Sequence, residues 1–183
     1  MMKRLVRRRV AWILIVIVDA GLVAWGATAA AAPDSLLGPG GTPILTAGYE
    51  GYTKASWSEL VRSSPATASY IEVVFRMYGF FNAIFGLTAI AIAVTAFRHG
   101  ERWAWWMLGV GNTMALVAAM RYDWIVDAIG PFELTEYAGL GLVYVALAMT
   151  ARHSREAVSE SLARSGAHAA AAGPRRPLTA KGK

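Results

Sequence analysis

Four long stretches of the chain are apolar with little polar interruption, and charge, glycine and proline collect between them. The first covers residues 10–32, or ~35 Å of helix at 1.5 Å per residue. That is enough to cross the hydrocarbon core of a bilayer. The second covers 70–97 and is continuously apolar from Met77, after Glu72 and Arg76. The third, 103–120, carries no charge, and the fourth, 132–151, has Glu133 and Glu136 in its first turns. Each run is too long for a strand. The connections 98–102 and 121–131 are short, so neighbouring helices must run antiparallel. The pattern predicts an all-α fold: an integral membrane, antiparallel four-helix bundle.

The remaining segments follow from their composition. Residues 1–9 form a basic N-terminus. Residues 33–69 form an outer loop, irregular in its glycine- and proline-rich first half. Ser56-Trp57-Ser58-Glu59 then has the spacing of a capping box, predicting a short surface helix on Trp57 and Leu60. Residues 152–183 form a basic tail rich in alanine, serine and glycine, and 168–183 are expected to be disordered.

Charge sets the orientation. Of the 18 lysines and arginines, only Lys54, Arg62 and Arg121 fall on the outer side, and Arg76 lies inside a span. The others flank the opposite ends, which places both termini in the cytoplasm. The net charge of +6 and the pI near 9.9 therefore report topology and contact with the lipid bilayer, with no nucleic acid implied. Hydrophobic residues make up 56% of the chain and charged ones 16%, away from soluble norms and toward a multi-pass protein of a bacterial inner membrane. A competing reading takes the first run as a secretory signal peptide, with Ala29–Ala32 as a small-residue cleavage site. Asp19, the length of the run and Pro33 directly after the alanines argue for a retained span.

Polar residues inside the spans are the candidate chemistry. Asp19 stands ~13 Å into the first span, where a carboxylate costs about 2.5–3.5 kcal/mol on insertion scales. It is either a proton or cation site or an acid bonded to Asn82, Asn112 or Thr113. Asn82 and Asn112 sit near mid-membrane on opposed spans and are placed to hydrogen-bond each other. In the second span Glu72, Arg76, Gly79, Ala83, Gly86 and Ile90 share a face, while Phe81, Ile84 and Phe85 turn toward lipid. Gly79, Gly86, Gly109 and Gly141 are candidate close-packing positions. At the outer end Glu72, Arg76, Arg121, Asp123, Asp127, Glu133, Glu136 and Tyr137 make a polar mouth, read either as a proton or cation site or as solvated interface charge.

The chain has no cysteine, which removes disulfides, iron–sulfur clusters and thiol chemistry. All three histidines, His99, His153 and His168, fall outside the spans, so no histidine can ligate haem or zinc within the membrane. No GxSxG or phosphate-binding loop appears. No catalytic residue, metal ligand or cofactor is assigned. Arg76-Met77-Tyr78-Gly79, then Asn82 and Gly86, followed by a short basic turn and a tryptophan-rich span, resembles the small four-helix bacterial membrane proteins called DoxX-like. The likeness covers about 70–151 and implies the four-helix fold without assigning a site.

The leading functional reading is non-enzymatic: an accessory or scaffold subunit that associates with other membrane proteins or with itself, or a binder of lipid or another small apolar molecule. The alternative is a proton- or cation-coupled transporter using Asp19. A third is a carboxylate-dependent isomerase or cyclase using Glu133 or Glu136.

Overall fold

Backbone groups in lipid must be satisfied within their own segment, and long apolar runs therefore become helices. The computed structural model describes residues 2–127 and 134–151 and is helical throughout its regular structure, with no strand among the described residues. The helices are α1 (Met2–Ala31), α2 (Ile44–Thr53), α3 (Trp57–Ser63), α4 (Pro65–Ile92), α5 (Arg102–Val126) and α6 (Leu134–Ala151). A π-helical stretch, Ala93–Phe97, continues α4.

Three helices are long and apolar enough to cross a membrane, over Val6–Ala31, Pro65–Phe97 and Leu134–Ala151. The expected third span, 103–120, is helical as part of α5 but is not among them. Its three tryptophans, Asn112 and Thr113 dilute an otherwise apolar sequence. The outward surface supports membrane residence. Phe81 is 61% exposed, Leu87 57% and Met114 69%, an apolar covering that water would not tolerate over such an area.

α1 and α4 form the most intimate pair. The buried positions of α4 include Gly79, Gly86 and Ala93, seven residues apart, and those of α1 include Asp19 and Gly26 at the same interval. A seven-residue period keeps one narrow seam facing its partner along the whole contact. The seam is closed by backbone. A Cβ added at Gly26 would lie 2.5 Å from the Gly79 carbonyl oxygen and 2.6 Å from the Ala83 nitrogen. One added at Gly79 would meet the Ala29 Cβ at 2.6 Å, and one at Gly86 would meet the Asp19 carbonyl oxygen at 2.8 Å. Phe85 does not turn to lipid. It is half-buried, with its ring 3.3 Å from where a Gly111 Cβ would stand, because the missing side chain leaves a notch on α5 that the ring fills.

Each helix of this pair has its C-terminal carbonyls met by an arginine of the other. Arg76 Nη1 donates to the Ala30 and Ala31 oxygens at 2.9 and 3.0 Å. Arg8 Nε donates to the Arg98 oxygen at 2.5 Å, just beyond the end of the α4 helical run. Cations at helix C-termini offset both the orphan carbonyls and the negative end of the macrodipole.

The first half of the segment 33–69 is more regular than its glycines and prolines suggest. Two 3₁₀ turns, Pro33–Ser35 and Pro39–Gly41, lead into α2. The glycines of α2 are contact positions. A Gly51 Cβ would collide with the Val126 oxygen, and a Gly48 Cβ would stand 2.9 Å from the Tyr122 hydroxyl. The expected short helix is α3, with Ser56 at its N-cap. Its capping carboxylate comes from elsewhere: the Trp57 N–H donates to Glu50 Oε1 at 2.9 Å, while Ser56 Oγ pairs with Ser58 Oγ at 2.8 Å. Trp57 packs edge-on to Tyr49, with ring centroids 5.3 Å apart.

Candidate functional site

The buried stripe of α1 runs Ala11, Ile15, Asp19, Gly26 and Ala29, so the helical period carries a carboxylate inward at a position its neighbours fill with apolar groups. Asp19 has no exposed surface, and both carboxyl oxygens are enclosed with no hydrogen-bond partner. Asn112, 1% exposed, faces it from α5. The Asn112 amide falls outside hydrogen-bonding geometry to the carboxyl and donates instead to the Leu108 oxygen at 3.1 Å, one turn back in its own helix. Among the described residues no ion pair reaches Asp19. Burying an ionised carboxylate without a partner is far costlier than burying the neutral acid.

The expected bond between Asn82 and Asn112 does not form. Asn82 Nδ2 donates to the Tyr78 oxygen at 3.0 Å, so each amide satisfies its own helix first. Thr113 does likewise, donating to the Gly109 oxygen at 2.6 Å, and its hydroxyl also meets Tyr144 Oη at 3.0 Å. Of the three residues grouped with the intramembrane acid, the structure brings only Asn112 to face Asp19.

The residues expected to form a polar mouth divide into separate groups. Glu72 and Arg76 form an i,i+4 ion pair at 2.7 Å, with the guanidinium also holding the end of α1. Asp127 pairs with Lys54 at 3.5 Å on the surface, joining the C-cap residues of α2 and α5. Tyr137 accepts a hydrogen bond from Trp124 Nε1 at 3.1 Å, and Arg121 is exposed. Glu133 lies outside the described residues. Asp123 and Glu136 are partly buried: one oxygen of each carboxylate has no solvent contact.

These groups occupy definite levels. Gly86 fixes the level of Asp19 on α4, since its absent Cβ leaves room for the Asp19 backbone. Asn82 and Tyr78 lie one and two turns outward, about 6 Å per step of four residues. On α6, the Cβ position of Gly139 is 3.5 Å from Val18 Cγ1. Glu136 therefore stands about one turn outward of the Asp19 level. On the inward side every buried neighbour is apolar: Ile15, Ala89, Ala93, Leu108, Val143 and Leu147 belong to one cluster.

Of the expected close-packing glycines, Gly79 and Gly86 lie in the α1–α4 seam. Gly109 sits against α6, its Cβ position 3.2 Å from Leu147 Cδ1, and Gly141 has nothing within 4 Å of its Cβ position. The buried face of α6 is Gly139, Val143, Ala146 and Leu147. Gly26, Gly48, Gly51 and Gly111 were not singled out by sequence. Gly26 had a usable signal, standing seven residues after Asp19 on the same helix face.

Among the described residues no group of three or more His, Cys, Asp or Glu is arranged to hold a metal ion. No protein-family model matches the sequence, and comparison with curated proteins and with solved structures finds no match.

Proposed function

We propose that the chain is a multi-pass protein of a bacterial cytoplasmic membrane, with α1, α4, α5 and α6 as an antiparallel four-span bundle and both termini in the cytoplasm. Contacts at both ends support the alternation. Trp105 Nε1 donates to the Leu147 oxygen at 3.0 Å near one end, and Trp124 meets Tyr137 near the other. The distribution of lysine and arginine supports the orientation.

Within that frame the protein is non-enzymatic and carries a proton at Asp19, taking it up and releasing it in step with movement of a small solute. One observation carries this reading: a carboxyl at mid-span is wholly enclosed, with both oxygens unpartnered and no cation beside it. Such a group is functional by default in a membrane helix. The test is proton flux in proteoliposomes containing a trapped pH-sensitive dye. Asp19→Asn inserts normally and abolishes the proton-linked signal. Equal flux through the variant overturns the reading.

A second reading, an accessory subunit or a binder of lipid or another small apolar molecule, is favoured by a shallow groove of about 330 Å³ lined by Ala30, Val73, Arg76, Met77 and Phe80. It is apolar along its length and has one cation at its edge. Its test is mild-detergent purification followed by native mass spectrometry. A stoichiometric lipid or protein partner lost on Met77→Trp supports it, and a bare chain overturns it.

A further inference from the structure

We infer that Asn112 is the positioning residue for the Asp19 proton: its amide accepts from the protonated acid through Oδ1, and turns to donate to the carboxylate through Nδ2 once the proton has left. This rests on the proton-carrying reading of Asp19, and adds the residue that serves the acid in both of its states.

Packing places the two side chains in one layer of the bundle. Ile15 of α1, Ala89 of α4, Leu108 of α5 and Val143 of α6 belong to one buried cluster. About one turn along each helix, the same faces carry Asp19, Gly86, Asn112 and Gly139, all four buried. Contacts close the ring at this level. The Cβ position of Gly86 is 2.8 Å from the Asp19 carbonyl oxygen, and that of Gly111, beside Asn112, is 3.3 Å from the Phe85 ring. The Cβ position of Gly139 is 3.5 Å from Val18 Cγ1 and 4.0 Å from Leu116 Cδ1, one residue before Asp19 and one turn beyond Asn112. Gly86 and Gly139 contribute no side chain, which leaves the layer to the acid and the amide.

The amide has what both states of the acid require. Its oxygen accepts and its nitrogen donates, whereas a carboxylate only accepts and a protonated carboxyl also donates. In the structure Nδ2 donates to the Leu108 oxygen, and neither Asp19 oxygen receives a hydrogen bond. In that setting the amide offers Asp19 only its acceptor, which suits an acid that carries its own hydrogen. The terminal torsion of asparagine is soft. The bond to Leu108 is also readily given up, because that carbonyl keeps the Asn112 backbone N–H as its partner in the helical ladder. On ionisation the Asp19 O–H bond breaks, its electron pair stays on the carboxylate and water takes the proton. Nδ2 then turns to the charged oxygen, where its hydrogen bond is charge-assisted and stronger than the one it leaves.

No second titratable group belongs to this layer. Asp19 is the one ionisable residue of α1 after Arg9. On α4 the nearest are Tyr78, about two turns away, and Arg98, about three turns the other way. On α5 they are Arg102 and Arg121, each more than about two turns distant. On α6 they are Glu136, Tyr137 and Tyr144, the two hydroxyls being engaged by Trp124 and Thr113.

The experiment uses the full chain in lipid vesicles with its asparagines isotope-labelled. There are two, Asn82 and Asn112. Both donate Nδ2 to the carbonyl four residues back, so Asn82 is an internal control. Solid-state NMR follows the two amide nitrogens across pH. Infrared difference spectroscopy follows the C=O stretch of the protonated Asp19 carboxyl, with Asp19→Leu as the blank. The Asn112 signal is expected to shift with the same midpoint at which the Asp19 acid band is lost, while Asn82 stays fixed. Asn112→Leu keeps a branched side chain but removes donor and acceptor together. It should move the acid band to the higher frequency of an unbonded carboxyl and slow proton-linked flux by roughly tenfold to a hundredfold, the scale of one hydrogen bond to a charged group. The measurement on the parent chain stands even where that variant fails to fold. An acid band that titrates while the Asn112 signal stays fixed, or that is unmoved in Asn112→Leu, overturns the role of Asn112 and leaves Asp19 a proton carrier. A folded chain in which no Asp19 band titrates overturns both.

Discussion

Adding one methyl group at Gly26 should separate the helices that hold the protein together, and its effect can be worked from the seam. The new Cβ would lie 2.5 Å from one backbone atom and 2.6 Å from another, against an ordinary contact that begins at 3.4 Å. Both obstacles are main chain, so no side chain can rotate away, and α1 and α4 must part by about 0.9 Å. A gap of that size forfeits a quarter to a half of each dispersion contact across it, at ~0.1–0.2 kcal/mol per atom pair. If the tight part of the seam makes on the order of 40 atom pairs, as one buried side chain does, the loss is about 1–4 kcal/mol, which brackets ordinary overpacking. The control is on the same helix: a Cβ at Gly21 has nothing within 4 Å. Gly21→Ala should be neutral or stabilising by about 0.5–1 kcal/mol from reduced chain entropy. Equilibrium unfolding in mixed micelles, followed by tryptophan fluorescence, should separate the two variants by about 3 kcal/mol. Equal midpoints for Gly26→Ala and the parent chain, or an equal loss for Gly21→Ala, would refute the reasoning.

Other expectations follow from specific contacts. Arg76→Gln strands two α1 carbonyls and the Glu72 carboxylate, and should destabilise by about 1–3 kcal/mol in the same unfolding assay. Arg76→Lys should recover only part, because an ammonium lacks the fork that serves Glu72 and α1 together. Glu50→Ala removes the acceptor at the start of α3 and should cost about 0.5–2 kcal/mol. Hydrogen exchange in residues 57–63 should rise accordingly, and unchanged protection there would count against this cap. Asp19→Asn should leave stability unchanged within about 1 kcal/mol, since no hydrogen bond is lost. A loss above about 3 kcal/mol would instead mark Asp19 as a structural linchpin.

Much of the fold was legible because lipid simplifies the problem. Apolar run length locates membrane helices directly, and α1, α4 and α6 appear where the runs lie. What run length does not encode is where amphipathic helices end. Residues 121–126 continue α5, although Arg121 and Asp123 read as loop. The helix α2 was hidden for a related reason. Gly48 and Gly51 look like breakers, yet they are the two positions where α2 touches α5. A glycine that permits contact and a glycine that permits a turn are the same letter, and only the partner element distinguishes them.

The same ambiguity governs the candidate site. Sequence identified Asp19 by its cost, which depends on depth alone, and Asn112 by its place on an opposed span. It could not say that Asn82 and Asn112 would each turn to their own backbone, because that choice depends on rotamers and on the width of the seam. Nor could it divide the outer charges. Counting Glu72, Asp123, Asp127 and Glu136 at one level suggests a single polar mouth, but the left-handed C-cap of α5 carries Asp127 to Lys54, Glu72 pairs with Arg76 one turn on, and Asp123 and Glu136 are partly buried. Asp19 sits where the apolar cluster of Ile15, Leu108 and Val143 ends, and the buried Asn112 that faces it keeps its amide for its own helix, so depth made the acid legible and only packing shows that it lacks a partner.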